Sequence, residues 1–207
     1  TQEQIEKLIE QAKSDHGVDL EIDKTYRYCV LSNRKKNYLG VTNSGKVDVK
    51  GLTGKKSHTP AFIKKLFFEL LDVLAEVQTM EDFVKAKKAI SEKIAECGKK
   101  VEAKEIPLED LTFNVMLSKA PSEYVKTIPQ HIRAAKQLES IKELKKGDKI
   151  SFIKILNKPG VKPVELAKKE EIDSKKYMEF LESTLEQITS SMDLDFDTIL
   201  GKPKQTG

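Results

Sequence analysis

Residues 34–41 of the chain have the sequence RKKNYLGV, and residues 46–52 have the sequence KVDVKGL. Tyr, Val and Leu favour extended backbone, and the run TNSG at residues 42–45 between the two segments is typical of a tight turn. We therefore predict a basic antiparallel hairpin here. The whole stretch 18–49 is rich in Tyr, Val, Ile and Leu, which indicates two or three short strands.

Positive charge is concentrated around this hairpin. Residues 24–65 contain eleven basic residues against the single acid Asp48, a net charge of +10, whereas the whole chain carries only +4 and the remainder is therefore −6. Tyr26, Tyr28 and Tyr38 lie in the same stretch. Basic residues interleaved with aromatic residues can engage nucleic acid, but Lys-rich turns also keep hairpins soluble and prevent edge pairing. Both explanations remain open from charge alone.

Composition excludes several classes of protein. The chain has 207 residues, of which 38% are hydrophobic and 34% charged, a globular balance rather than that of a disordered chain. No apolar run approaches the ~20 residues of a membrane-spanning helix, and no secretory leader is visible. We expect a cytoplasmic protein without a membrane partner. Cys29 and Cys97 have no ligand-spaced neighbours, so we expect small, half-buried thiols in a reducing compartment rather than zinc ligands.

Outside the hairpin, apolar residues recur mainly at helical spacing, beginning with an amphipathic helix near residues 2–14 that Gly17 ends. Further predicted helices start at Thr59-Pro60, run from Met80 to about Ala95 between a Thr79 cap and a Gly98 stop, and lie near residues 108–117. A further helix is predicted to begin at Thr127 and Pro129. The last predicted helix is capped by Asp173 or Ser174 and continues to about Ile188. Residues 149–156 are β-rich and can pair with a strand around Val164. The predicted fold class is α+β, a small antiparallel β-rich portion followed by a mostly helical one.

No complete catalytic motif is present in this sequence. We find no nucleophile elbow, no phosphate-binding Gly-x-x-x-x-Gly-Lys loop and no His-Glu-x-x-His, and the three histidines are scattered singly. Glu21 and Asp23 stand two apart in a predicted strand and would project from the same face. Such a pair can approach a metal ion or form part of a solvated surface.

The hairpin sequence resembles the Lys-Lys-x-Tyr hairpin of archaeal family B DNA polymerases, which joins the palm domain to the thumb domain. The resemblance continues in the order of that family through five further segments. These are LSK at 117–119, PQHIRAAKQL at 129–138, GDKISF at 147–152, KPVELA at 162–167 and IDSKKY at 172–177. Matches in this order span nearly the whole chain, which makes them far more specific than a single Lys-Lys-x-Tyr.

The resemblance implies that residues 1–54 are the C-terminal part of the palm and residues 55–207 the thumb with a C-terminal tail. The metal-binding Asp-Thr-Asp turn of the family does not occur in the sequence. We therefore expect the small subunit of a split, heterodimeric polymerase, active only with a large subunit that carries the exonuclease, the fingers and the catalytic palm. Mg²⁺ at the composite active site would be bound mainly by that partner. A recombinant or proteolytic fragment is the alternative origin.

Residue roles follow from the same resemblance. Contacts with primer–template DNA are implied for Arg34, Lys35, Lys36, Tyr38, Lys55, Lys56, Lys119, His131, Arg133 and Lys136. Asn37 stands where the family often has Arg or Lys, and the loop before Lys55 is shortened. Glu21 and, with preference, Asp23 are implied as auxiliary metal ligands or as residues next to the ligands.

Gln205 resembles the start of the peptide by which the family binds a sliding clamp. A free-standing, sequence-independent duplex-binding accessory protein remains the alternative function. A purely structural interaction protein without affinity for nucleic acid is a third possibility.

Overall fold

The structure is a computed structural model and describes residues 1–17, 19–21, 25–31, 38–50 and 58–202. Its helices are α1 (Gln2–His16), α2 (Ala61–Ala75), α3 (Met80–Glu102), α4 (Gln130–Leu138), α5 (Ser174–Ser191) and α6 (Phe196–Ile199). Its strands are β1 (Tyr28–Leu31), β2 (Tyr38–Val41), β3 (Val47–Lys50), β4 (Phe113–Met116), β5 (Lys149–Lys154) and β6 (Val161–Pro163). They form two antiparallel sheets, β1-β2-β3 (sheet A) and β4-β5-β6 (sheet B), which confirms the predicted α+β class.

Helix α1 confirms the first predicted helix and extends it by two residues to His16. Gly17 follows in the left-handed conformation, with φ of 63°, which a glycine adopts without steric cost and which commonly ends a helix. None of the residues of α1 is buried. Its apolar stripe is open to solvent, with Leu8 at 65% and Ile5 at 38% exposure.

Sheet A has an inner face and an outer face. Cys29 stands directly opposite Gly40, and Gly40 stands directly opposite Asp48, so these three residues share one face of the sheet. Tyr38 belongs to the same face because it lies two residues before Gly40 on β2. Val41, the next residue, points to the other side and is fully buried in the hydrophobic core. The face that carries Tyr38 is therefore the outer one.

Helices α2 and α3 differ from the prediction at one end each. Helix α2 begins at Ala61 with Pro60 in the capping position, one residue later than predicted. The Thr79 cap of α3 is confirmed, since its hydroxyl accepts a hydrogen bond from the Asp82 amide at 3.1 Å. The predicted stop at Gly98 is wrong, because α3 continues to Glu102. A Cβ at position 98 would overlap the side chain of Leu200, so this glycine allows close packing of the C-terminal segment.

The helix predicted near residues 108–117 is also wrong. A single 3₁₀ turn at Leu108–Leu111 is followed by strand β4, which pairs with β5. The Phe113 ring stacks on Phe152 with centroids 5.6 Å apart and on Tyr177 at 5.9 Å. The Tyr177 hydroxyl, on helix α5, donates to the Leu111 carbonyl at 2.7 Å. These contacts between distant residues override the local helical pattern.

Arg27 connects sheet A to the helical part of the chain. Its Nη2 donates to the carbonyl of Ala75, the last residue of α2, at 2.5 Å, while its backbone amide donates to the Val41 carbonyl at 2.6 Å. The final carbonyls of a helix lack partners within the helix and form its negative end, so a guanidinium group there is favourable. The predicted boundary between residues 54 and 55 lies outside the described residues and stays a prediction.

The two thiols differ in their surroundings. Cys29 is exposed, which contradicts the expectation of a half-buried residue, because its strand places it on the outer face of sheet A. Cys97 is half-buried as expected, and burial raises the pKa of its thiol to about 11. No helix of the described residues combines the length and apolar composition needed to cross a bilayer.

We expect Arg27→Met to lower the free energy of unfolding by about 1–2 kcal/mol. A hydrogen bond that involves a charged group contributes ~1.5–3 kcal/mol, and removal of the Arg27 Nε, which is buried without a hydrogen-bond partner, offsets part of this loss. Urea denaturation measures the difference. The matched control is Arg133→Met, an exposed arginine whose loss should change stability by less than about 0.5 kcal/mol. Equal effects of the two variants would contradict the role of Arg27.

Candidate nucleic-acid interface

The structure locates part of the predicted interface. Tyr38, Glu21, Lys119, His131, Arg133 and Lys136 are described. The other predicted residues lie outside the described part of the chain, and their roles stay predictions: Asp23, Arg34, Lys35, Lys36, Lys55, Lys56 and Gln205.

Tyr38 lies in a polar cluster on the outer face of sheet A. The Tyr26 hydroxyl donates to Asp48 Oδ2 at 2.7 Å and lies 3.4 Å from the Tyr38 hydroxyl. The two tyrosine rings meet edge to face, with centroids 5.9 Å apart. The hydrogen bond with Tyr38, burial and the Asp48 carboxylate raise the pKa of Tyr26 well above its usual value, so its hydroxyl keeps its proton. The sequence had not singled out Tyr26 or Asp48 as site residues.

Gly40 makes room for this cluster. A Cβ at position 40 would overlap the ring carbons of Tyr26, so any larger residue would displace that ring. Gly40 is therefore required at this position because the Tyr26 side chain, which precedes the hairpin, occupies the space of a Cβ. This explains in physical terms why the hairpin sequence contains Tyr-Leu-Gly.

A second cluster is centred on Tyr124, which the sequence had not singled out either. The Lys119 ammonium lies 4.5 Å from the centre of the Tyr124 ring, in a cation–π arrangement. His131 packs edge to face against the same ring at 6.4 Å, and Lys136 Nζ donates to the Tyr124 carbonyl at 3.4 Å. The Ser118 hydroxyl is 2.9 Å from the Tyr124 hydroxyl. Of the four predicted thumb residues that are described, three thus contact Tyr124, and we call this group the Tyr124 cluster.

Helix α4 positions two members of this cluster. The helix begins after Pro129 and buries Ile132, Ala135 and Leu138 on one face, while His131 and Lys136 remain partly exposed. Arg133 lies on the same helix, but its guanidinium points to the turn between β5 and β6, where Nη1 donates to the Pro159 carbonyl at 3.4 Å. The structure therefore separates Arg133 from Lys119, His131 and Lys136.

The charge of the Tyr124 cluster depends on pH through His131. Partial burial lowers the pKa of this imidazole below its usual value, because burial disfavours the charged form. At neutral pH the cluster carries the charges of Lys119 and Lys136, whereas His131 is neutral and can donate one hydrogen bond.

The predicted auxiliary metal ligands are only partly described. Glu21 is exposed, and no group of three or more His, Cys, Asp or Glu side chains in the described ranges is arranged to hold a metal ion.

Comparison with known proteins identifies the family. The sequence model of DNA polymerase family B matches residues 1–197. The chain belongs to this family. Among family B relatives, DNA polymerase 1 of Sulfolobus acidocaldarius is 41% identical over 201 residues, which cover 97% of this chain and 23% of the relative. DNA polymerase 1 of Saccharolobus solfataricus is 41% identical over 196 residues, or 94% of this chain and 22% of the relative.

A solved structure supports the same fold. The family B DNA polymerase from the hyperthermophilic archaeon Pyrobaculum calidifontis matches with a TM-score of 0.61 at 18% identity, covering 92% of this chain and 24% of that one. The predicted resemblance to archaeal family B polymerases is thereby confirmed. The chain spans less than a quarter of the length of these family B proteins.

We expect Tyr124→Ala to raise the pKa of His131 toward its usual value, because loss of the ring returns water to the imidazole. Titration of the His131 ring signals by NMR measures this shift. In the wild type, the lowered pKa means that the unfolded chain binds more protons below about pH 6.5, so this group makes stability fall as the pH falls. An unchanged pKa in Tyr124→Ala would show that other atoms bury His131.

Proposed function

We propose that this chain is the small subunit of a split DNA-dependent DNA polymerase, to which it contributes the C-terminal part of the palm and the thumb. In this role it grips the primer–template duplex and completes an active site whose Asp-Thr-Asp carboxylates lie on a large partner subunit. The observation that carries the proposal is the Tyr124 cluster, in which the cationic side chains of a family B chain converge on one accessible surface.

The Tyr124 cluster has the chemistry of a duplex-backbone contact. Lys119 is exposed and Lys136 partly exposed, so both ammonium groups can approach phosphate oxygens. Such contacts release counterions and do not depend on the base sequence, as a polymerase that copies any template requires. His131 can add a hydrogen bond from its ring nitrogen, and Arg133 would contact the duplex at a separate point.

Tyr38 supplies the contact close to the primer terminus. Its side chain is only partly buried and lies on the outer face of sheet A, turned away from the core. We assign it the task of orienting the primer strand, together with Arg34, Lys35 and Lys36 from the same hairpin and Lys55 and Lys56 at the start of the thumb. Misplacement of a reacting group by about 1 Å can reduce a rate ~100-fold, so this positioning is a direct contribution to catalysis.

The apolar stripe of α1 supports a large polypeptide partner. Ile5 and Leu8 are exposed, and with Ile9 and Leu20 they line one side of a shallow groove. An accessory protein that acts alone would gain nothing from this exposed apolar surface, whereas the remaining palm of a polymerase would bury it. We therefore place the large subunit, with its exonuclease, fingers and catalytic palm, on this side of the chain.

Metal binding is assigned mainly to the partner. Two Mg²⁺ ions would stabilise the attacking and leaving oxygens of nucleotidyl transfer, held mainly by the Asp-Thr-Asp carboxylates of the large subunit. Asp23 and Glu21 would at most add auxiliary contacts. We further propose that Gln205 belongs to a segment that binds a sliding clamp.

We expect the double variant Lys119→Gln, Lys136→Gln to bind a fluorescein-labelled primer–template duplex more weakly than the wild type. The slope of log affinity against log salt should flatten by about 0.9 for each lysine that contacts phosphate. Fluorescence anisotropy at several NaCl concentrations measures both quantities. Lys85→Gln, which removes an exposed lysine paired with Glu81 on α3, is the matched control and should leave the slope unchanged. An unchanged slope in the double variant would refute the thumb contact.

We expect primer extension to require two polypeptides. The chain should show no extension alone, and it should restore extension when mixed with a family B polypeptide that carries Asp-Thr-Asp but lacks the segment matched here. Leu8→Glu should abolish this restoration because it places a charge in the apolar stripe of α1, whereas Lys7→Glu on the same helix should not. Strong extension by this chain alone, or equal effects of the two variants, would defeat the split-subunit proposal.

A further inference from the structure

We propose that Tyr26 and Asp48 are positioning residues for Tyr38, which they hold through a chain of hydrogen bonds that runs from Tyr38 to Tyr26 to Asp48. This inference rests on the proposed function, in which Tyr38 orients the primer strand. It concerns two residues of sheet A and its approach segment that have no other assigned role in DNA binding.

The direction of the hydrogen bonds follows from the number of protons. A tyrosine hydroxyl has one proton to donate. Tyr26 directs it to the Asp48 carboxylate, because the distance of 2.7 Å and the negative charge make this the stronger of its two contacts. The same O–H group makes a second, weaker contact at 3.4 Å with the Tyr38 oxygen, which accepts it. The Tyr38 hydroxyl therefore keeps its own proton for another acceptor, while the Tyr26 hydroxyl holds its oxygen in position.

The long second contact leaves Tyr38 available to a ligand. A hydrogen bond of 3.4 Å between two neutral hydroxyl groups is weak, whereas an O–H group that donates to a phosphate oxygen forms a shorter and stronger bond. Tyr38 can therefore donate its own proton to a phosphate oxygen of the DNA backbone while its oxygen still accepts from Tyr26. Its ring would stay in place, since it packs edge to face against the Tyr26 ring, which adds about 0.5–1.5 kcal/mol.

The rest of sheet A keeps these three residues in register. Asp48 stands directly opposite Gly40 in the ladder between β2 and β3, and the missing Cβ of Gly40 provides the space for the Tyr26 ring. Tyr26 is joined to the sheet through its neighbour Arg27, whose amide donates to the Val41 carbonyl. The positions of the three hydroxyl and carboxyl groups are therefore set by backbone pairing rather than by flexible side chains alone.

A double-mutant cycle with the full chain tests this inference. The four proteins are the wild type, Tyr26→Phe, Tyr38→Phe and the double variant, and the measured quantity is the affinity for a fluorescein-labelled primer–template duplex. Tyr26→Phe keeps the ring and removes only the hydroxyl. We expect it to weaken DNA binding about threefold to tenfold, the equivalent of one ordinary hydrogen bond. In the Tyr38→Phe background we expect the same change to have no further effect.

The salt dependence separates positioning from simple loss of structure. Tyr26→Phe removes no charge, so the slope of log affinity against log salt should remain that of the wild type. A collapsed hairpin would lose its lysine contacts and flatten the slope. Asp48→Asn and Asp48→Ala both remove one negative charge, so they are compared with each other rather than with Tyr26→Phe. Asp48→Ala should bind the duplex more weakly than Asp48→Asn, because only asparagine keeps an acceptor for the Tyr26 proton. Thr42→Val, which removes hydrogen bonds from the turn between β2 and β3, controls for reduced stability of the sheet and should leave affinity unchanged.

The outcomes distinguish a failure of the proposed function from a failure of the positioning role alone. If the wild type has no affinity for the duplex, the proposed function fails and this inference fails with it. If the wild type binds but Tyr26→Phe has no effect, or if the effects of Tyr26→Phe and Tyr38→Phe multiply, only the positioning role is overturned. A flattened salt slope in Tyr26→Phe would likewise overturn it in favour of a structural role.

Discussion

The carbonyl of Ala75 at the end of α2 needs a donor, and the guanidinium of Arg27 supplies it from the start of sheet A. This hydrogen bond connects the β-rich portion of the chain to the helical portion. The backbone amide of the same residue pairs with Val41, which is fully buried in the core. Arg27 and the buried side chain of Val41 thus join the inner face of sheet A to the helices, and Tyr26, Tyr38 and Asp48 lie half-buried on the opposite face.

Much of the fold could be predicted from local signals, and the failures have a common physical origin. Thr79 caps its helix and Gly17 ends the first helix because the interactions responsible lie within a few residues of each other. Gly98 has the sequence signature of a helix stop, yet it serves a contact with Leu200 about a hundred residues later. Phe113 likewise forms a strand because it stacks on Phe152 and Tyr177. Contacts at such separations leave no periodic trace in a single sequence.

In the candidate site, too, local motifs identify some residues, whereas others can be recognised only from the folded structure. Lys119, His131 and Lys136 could be singled out from motifs, and the structure brings them together, while their contacts with DNA remain a prediction. Tyr124 could not be found in this way, because its importance lies in being surrounded by those residues. The network of Tyr26 and Asp48 depends on strand register, which relates residues 22 positions apart. In the sequence, only the interleaving of basic residues with tyrosines pointed to the hairpin. It did not indicate which of these side chains contact each other.

The unequal environments of the two cysteines give the protein a built-in attachment point for a spectroscopic probe. A thiol reagent near neutral pH acts on the thiolate, so Cys97, with its pKa raised to about 11 and its side chain half-buried in α3, reacts slowly. Cys29 is exposed and lies across from Gly40, on the face of sheet A that carries Tyr38. A dye coupled there without any engineered substitution would stand on the same face as the Tyr38 side chain, and its emission would report changes in the surroundings of that face in real time.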